Sequence, residues 1–243
     1  MSGFELSFDA FVLAASTDSL ADEPAAREHA DAVEFRLDLA DDPLDQLAAY
    51  DGELPIIATN RAAWEAGGAH DETKRLLTLE TALEYDAVAA VDLECRALDG
   101  SVTAADTDTA RDVRASAREA GVTVIASIHD FEATPPVAEL TERLRLGSEE
   151  GDIAKLATTA HDRGDALDLL TATHRATAAG RRVATMGMGA AGQHTRAVAP
   201  VYGSTIGYAP VAAADATAPG QYPLAMLREL VDGLTTPTAN TDV

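Results

Sequence analysis

Val33-Glu34-Phe35-Arg36-Leu37-Asp38 is written with a period of two. In an extended strand that period sends Val33, Phe35 and Leu37 to one face and Glu34, Arg36 and Asp38 to the other. Three charges on one face have two structural readings. One is an antiparallel sheet with a solvated side. The other is a parallel barrel whose strands turn polar ends toward a shared mouth. Parallel sheets are covered on both faces, so in the second reading the charges have work to do. The neighbouring segments decide between the two.

Working outward, eight β-rich runs stand at 11–15, 32–38, 55–60, 87–94, 122–129, 152–158, 182–188 and 205–211. Segments with helical signals separate most of them, at 19–30, 43–50, 70–85, 106–120, 135–146, 165–179 and 222–231. Pro43 suits a first helical turn, and Gly121, Gly147, Gly180 and Gly233 stand where helices are expected to stop. The helical signal between the seventh and eighth runs is the weakest. Strands alternating with helices require parallel pairing through crossovers. Eight such units in 243 residues predict an α/β fold, a closed (β/α)8 TIM barrel forming a single domain over 1–233, with a polar, flexible tail at 234–243. No internal repeat and no Gly/Ser/Pro-rich linker divides the chain.

The formal net charge is −23, from 41 acidic and 18 basic residues, and the acids are dispersed along the whole length. A dispersed excess predicts a surface adapted to high salt, where short screening lengths relieve self-repulsion. It argues against nucleic acid or an anionic membrane as a partner. Cys95 is the single cysteine, which excludes an intrachain disulfide and a cysteine metal cluster. No apolar run reaches the roughly 18 residues of a membrane span, no His-x-x-x-His pair suggests zinc, and the N-terminus lacks the pattern of a secretion signal. The expectation is a soluble, cytoplasmic protein without a metal.

In a barrel the chemistry lies at the C-terminal ends of the strands. The sixth run, Asp152-Ile153-Ala154-Lys155-Leu156-Ala157-Thr158, places a lysine inside an apolar strand. The chain has only two, Lys74 and Lys155, against sixteen arginines. An ammonium there loses its hydration, so either its head escapes into a cavity or its amine is needed for chemistry. The fifth run ends in Ser127-Ile128-His129-Asp130-Phe131. The third ends in Thr59-Asn60-Arg61 and continues to Glu65-Ala66-Gly67-Gly68. The fourth puts Asp92 and Glu94 on one face, in keeping with a charge network that positions the lysine and arginines. After the seventh, Gly187-Met188-Gly189-Ala190-Ala191-Gly192 allows a ligand close to the backbone, and Arg196 follows; phosphate binding is only weakly signalled there. After the eighth come Thr217-Ala218-Pro219-Gly220-Gln221.

This ordered set resembles type I 3-dehydroquinate dehydratase. The pieces that carry the resemblance are Glu-Phe-Arg-Leu-Asp at 34–38, Thr-Asn-Arg…Glu-Ala-Gly-Gly at 59–68, Val-Asp-Leu-Glu at 91–94, and Ser-Ile-His-Asp-Phe at 127–131 with Thr134-Pro135. Asp-Ile-Ala-Lys-Leu-Ala at 152–157, Gly192…Arg196 and Ala-Pro-Gly-Gln at 218–221 complete it. They span nearly the whole chain. The resemblance implies a (β/α)8 barrel, usually a homodimer, that needs no metal or organic cofactor. Its reaction converts 3-dehydroquinate to 3-dehydroshikimate and water, in the shikimate route to aromatic amino acids.

The resemblance further implies that Lys155 forms a Schiff base with the substrate ketone, that His129 shuttles the proton, and that Glu65 orients it. Glu34, Arg36, Arg61, Arg196, Thr217 and Gln221 would hold the substrate's carboxylate and hydroxyls. Thr217 and Thr195 depart from the family, which usually has serine at both places; the hydroxyls survive, and the methyl of Thr217 narrows the pocket. The residue chemistry agrees. An ordinary lysine, with a pKa near about 10.4, is mostly protonated, and burial with arginine neighbours is expected to free the amine. A histidine titrating near neutrality can take and return a proton, and arginines pair with carboxylates. A sugar-phosphate aldolase using the same lysine is the competing enzyme reading. A barrel kept for binding alone is the non-enzymatic one, and the intact set of Lys155, His129 and Glu65 weighs against it.

Overall fold

The structure is a computed structural model that describes residues 4–211 and 220–235. Thr217 and residues 236–243 of the expected tail lie outside the described residues. In chain order the elements are β1 (Val12–Thr17), α1 (Glu23–Ala26), β2 (Ala32–Arg36), α2 (Pro43–Ala48), β3 (Ile56–Thr59), α3 (Glu72–Ala82), β4 (Val88–Glu94), α4 (Cys95–Asp99) and α5 (Thr107–Ala120). They continue as β5 (Thr123–Asp130), α6 (Val137–Glu150), β6 (Ile153–Thr159), α7 (Arg163–Ala178), β7 (Val183–Met188), α8 (Gly189–Gly192), α9 (Thr195–Val198), β8 (Ile206–Pro210) and α10 (Leu224–Thr235). Each of the eight expected runs holds a strand.

All strands pair in parallel, in the order β7-β6-β5-β4-β3-β2-β1-β8. The remaining seam, between β7 and β8, carries no full ladder. It is drawn together just ahead of β8: Val183 and Ser204 form an isolated parallel bridge, Thr205 N donates to Val183 O at 2.8 Å, and Thr185 N donates to Ser204 Oγ at 2.9 Å. The barrel is therefore nearly closed, with a side chain doing at the seam what backbone does elsewhere.

Side-chain alternation sorts the strands into an outer apolar shell and an inner column. Outward residues such as Val33, Phe35, Val91, Leu93 and Val124 pack against α3, α4 and α5. Leu156 and Val183 pack against α6 and α7, and Leu13, Ala15 and Ala209 against α10. Inside, Phe8 and Val12, Ile57, Ile125, Ile153 and Ile206 form a separate cluster. Reading each strand upward, the inward positions turn polar: Ile153 then Lys155, Ile125 then Ser127 then His129, Ala90 then Asp92 then Glu94, Ala32 then Glu34 then Arg36. The apolar half fills the base of the barrel and the polar half forms its mouth.

Three helices begin on side-chain caps. Asp71 accepts from Lys74 N, Asp106 from Thr109 N, and Asp162 from Gly164 N and Asp165 N. Gly121 closes α5 in the left-handed region, at φ 75°. Two other glycines do not stop their helices as expected. Helix α6 runs through Gly147 to Glu150, because Gly147 serves packing: a Cβ there would meet Ala154 Cβ at 3.0 Å. Helix α10 runs through Gly233 to Thr235, so the first two residues of the expected tail are helical. Helix α4 was not expected; it starts directly where β4 ends. Among the described residues, no helix is long and apolar enough to cross a membrane.

Candidate active site

The polar mouth of the barrel encloses a cavity of about 260 Å³. Its lining includes Lys155, Glu34, Arg36, Arg61, His129, Arg196 and Gln221, with Met186, Met188 and Tyr208. Seven of the nine residues singled out by sequence, Lys155 among them, thus line the cavity. Glu65 lies just behind His129, and Thr217 falls outside the described residues.

Lys155 is 4% exposed. Ladder bonds to β5 and β7 fix its Cα opposite Ser127 and Ala184. Its Nζ donates to Asp92 Oδ2 at 2.8 Å and reaches Glu34 Oε1 at 3.4 Å. Nζ also lies 4.0 Å from the centroid of the Tyr208 ring, a cation–π contact. The groups in contact with the amine are therefore two carboxylates and an aromatic face, where the sequence argument had placed arginines. Asp92 and Glu34 are themselves fixed. Asp92 Oδ1 accepts from Ser127 Oγ at 2.6 Å, and Glu34 accepts from Ser16 Oγ at 2.5 Å and Thr59 Oγ1 at 3.2 Å. Asp92 is held below the usual carboxylate range, against its burial, by Lys155, Arg61 and Ser127.

His129 ends the inner column of β5. Glu65 Oε1 accepts from both its backbone N, at 3.0 Å, and its Nδ1, at 2.9 Å. That assigns the ring proton to Nδ1 and leaves Nε2 as the acceptor, 2.7 Å from Arg61 Nη1. The Phe131 ring stacks beside the imidazole at 5.9 Å and 14°. Burial, with Arg61, Lys155 and Arg36 nearby, pushes the imidazole well below its ordinary 6.5. Burial pushes the Glu65 carboxyl up to about 8, with Arg61 opposing and Glu94 assisting. The pair thus favours neutral forms. Glu65 reaches this place from a tight helical turn at Ala63–Glu65, which Ala66 ends in the left-handed region at φ 58°. Left-handed backbone is uncommon for a residue with a side chain, and Ala66 lines the cavity.

The arginines are held in three different ways. Arg36 forms a two-pronged pair with Asp38, at 2.8 and 2.7 Å, and Asp38 also accepts from Gly68 N at 2.9 Å. The strand ends at Arg36, so Asp38 acts as a clamp instead of facing the cavity with Glu34. Arg61 stands 3.5 Å from both Asp92 and Glu94. Arg196, 4% exposed, forms no ion pair among the described residues, and its Nε has no hydrogen-bond partner. Burial alone pushes it down to about 10. An uncompensated guanidinium inside a protein is unfavourable unless something anionic joins it.

The glycine run at 187–192 serves the chain itself. A Cβ on Gly187 would lie 2.8 Å from Gly192 Cα, and Thr195 Oγ1 joins the two by accepting from Gly187 N and donating to Gly192 O, both at 2.7 Å. The small residues admit one strand of backbone to another, which accounts for their spacing without a phosphate. Asp92 and Tyr208, which touch the lysine, were not marked as site residues from sequence. Asp92 had the signal of a charge on an inward strand position; Tyr208 had only its place on the eighth strand.

A lysine sunk in the mouth of a parallel barrel, with a neutral imidazole–carboxyl pair beside it and a cation awaiting an anion, defines a class: barrel enzymes that form imines with charged ketones. The comparisons narrow it. The type I 3-dehydroquinase family model matches residues 11–236, and the chain belongs to that family. A 3-dehydroquinate dehydratase of Haloarcula marismortui is 56% identical over 229 residues, covering 94% of this chain and 98% of the relative. One from Halobacterium salinarum is 51% identical over 231 residues, covering 94% and 100%. The crystal structure of 3-dehydroquinate dehydratase from Geobacillus kaustophilus superimposes with a TM-score of 0.80 at 27% identity, covering 95% of this chain and 93% of that one.

Proposed function

We propose that this chain, as one catalytic domain through Thr235, dehydrates 3-dehydroquinate to 3-dehydroshikimate in the shikimate pathway, through an imine on Lys155. Family membership supports the reaction. The observation that carries the site reading is the presence, in one cavity, of the buried amine of Lys155 and the guanidinium of Arg196, which forms no ion pair among the described residues. Together they select a ketone that also bears a carboxylate.

Lys155 lends one ammonium proton to Asp92, and its freed amine attacks the ketone; the proton returns to the carbinol oxygen, which leaves as water to give the iminium. The iminium withdraws electrons from the adjacent carbon, whose proton passes to Nε2 of His129. Arg61 turns from Nε2 to the substrate to make room. Glu65 holds Nδ1 and stabilises the charge that develops on the ring. The electron pair left on carbon expels the hydroxyl one carbon further on, which departs as water with the proton that His129 returns. Hydrolysis of the imine then frees the product and the lysine. No net proton is gained or lost. Arg196 takes the substrate carboxylate, while Glu34, Arg36, Arg61 and Gln221, with Thr217, take its hydroxyls and ring position. A homodimer and a cytoplasmic setting belong to the same reading, and light scattering on the purified protein checks the former.

Borohydride tests the mechanism. Reduction in the presence of 3-dehydroquinate should leave a stable adduct on Lys155, seen by peptide mass spectrometry. His129→Ala should still trap, while turning over ~10²–10⁴ times more slowly. An unmodified Lys155 under turnover conditions removes the imine, and an adduct formed equally from a sugar phosphate would favour the aldolase reading.

A further inference from the structure

Loop 60–69 carries Arg61 and Glu65, and it is gripped from outside the cavity. Arg75, on α3, is among the largest fully buried side chains, at 2% exposed. Its Nε and Nη2 donate to the two oxygens of Glu72 at 2.7 and 2.8 Å. Its Nη1 donates to Asn60 O at 3.1 Å and stands 2.8 Å from Glu94 Oε2. The Arg75 carbonyl accepts from Asn60 Nδ2 at 2.9 Å. Glu94 Oε1 accepts from Ala62 N at 2.9 Å and lies 3.5 Å from Arg61 Nε. Glu72 Oε2 accepts from Trp64 Nε1 at 3.2 Å. Residues 60, 61, 62 and 64 are thus each tied to one triad, Glu72–Arg75–Glu94, in which Arg75 and Glu94 are buried and Glu72 is partly exposed. Neither Arg75 nor Glu94 lines the cavity around Lys155.

We infer that Arg75 and Glu94 are positioning residues: with Glu72 they set loop 60–69 so that Glu65 meets Nδ1 of His129 and Arg61 meets the substrate. Stability is a poor reason to bury Arg75 and Glu94, since their desolvation offsets much of their attraction. Direction is a better one. The planar fork of arginine fixes the bearings of its partners, which an ammonium does not, and α3 is a more rigid mount than the loop it holds. Reaction rate is sensitive to displacements of about 1 Å at the reacting groups, so the grip is worth keeping. Glu94 also bears on Glu65 electrostatically, as one of the charges that raise its carboxyl.

This inference rests on the dehydratase reading for the roles of Arg61 and Glu65, and its tests separate the two. Glu94→Gln leaves Arg75 paired with Glu72, so the fold has its compensation. Its kcat should fall ~10-fold with KM changed little. The pH limb that reports Glu65 should move to lower pH, because the repelling anion is gone. Arg75→Met should lose ~10²-fold in kcat while borohydride still traps Lys155, and Arg75→Lys should not restore the rate. Should Arg75→Met fail to fold, Glu94→Gln decides alone. An unmoved pH limb in Glu94→Gln, or rates in both variants that fall only with the folded fraction by circular dichroism, overturns the inference. If the wild-type protein does not consume 3-dehydroquinate, the dehydratase reading has failed instead. The grip is then read without substrate: the imidazole ¹⁵N shifts of His129 should change in either variant as Glu65 leaves Nδ1, and unchanged shifts overturn it.

Discussion

Glu65 and His129 show how two side chains acquire their states from one another. Burial raises the carboxyl from its ordinary 4.5 to about 8, so between those values the folded protein binds more protons than the unfolded chain. Stability must fall as pH rises through that window. His129 is displaced downward, so its contribution is lost only as pH drops below 6.5. From pH 6.5 to 8 the displaced carboxyl of Glu65, and not His129, supplies this slope. Urea melts at constant high salt should show the wild-type protein losing about 1–2 kcal/mol over that interval. Glu65→Gln, with no proton to lose, should decline less; parallel curves would remove Glu65 as the source. Arg196 makes the opposite trade. Arg196→Met should raise KM at least ~10-fold while stabilising the unliganded fold by about 1–3 kcal/mol, because a buried donor without a partner is relieved. A lower melting temperature in that variant would mean that Arg196 is compensated in solution. At this scale the types and places of the groups were legible in the sequence. Their partners were not. Lys155 meets Asp92 and Glu34 because inward positions on three strands converge, and no pattern along one strand states which strand faces it.

Among the elements, the strands were the most legible, since each is a short apolar run between turn signals with polarity gathering at its C-terminal end. Glycine was the least reliable sign. Gly121 stops α5 by its backbone conformation, whereas Gly147 sits inside α6 to let β6 approach; the same residue type answers two demands that look alike in sequence. The seam between β7 and β8 was also illegible, because it depends on a serine outside both strands. Ser204→Ala should leave Thr185 N buried without an acceptor and destabilise the barrel by about 1–3 kcal/mol. Amide exchange at Thr185 should quicken first, ahead of the other seven strand pairs. Equal protection with and without the hydroxyl would show that the bridge from Val183 to Ser204 closes the seam by itself.

For the whole molecule, a charge of −23 sets the solution in which everything else works. Mutual repulsion opposes the compact state, and salt screens it over about 10 Å at 0.1 M and about 3 Å at 1 M. Dilution into salt-free buffer should unfold the protein, seen as loss of helical circular dichroism, and added salt should restore it. A full native signal without salt would dissociate the acidity from any adaptation, despite relatives from Haloarcula marismortui and Halobacterium salinarum. Within this acidic body the cavity gathers Lys155, Arg36, Arg61 and Arg196, and so offers a carboxylate substrate a cationic place to arrive. The sequence by itself determined the barrel, its strand count, the lysine, the histidine and the arginines around them, because periodicity and residue type are properties of one dimension. Tertiary structure alone decided which carboxylates hold the lysine, which guanidinium has no ion-pair partner among the described residues, and that Arg75 reaches from a helix to the loop of Glu65. Those are distances between residues remote in the chain, and only closure of the barrel brings them within a hydrogen bond of each other.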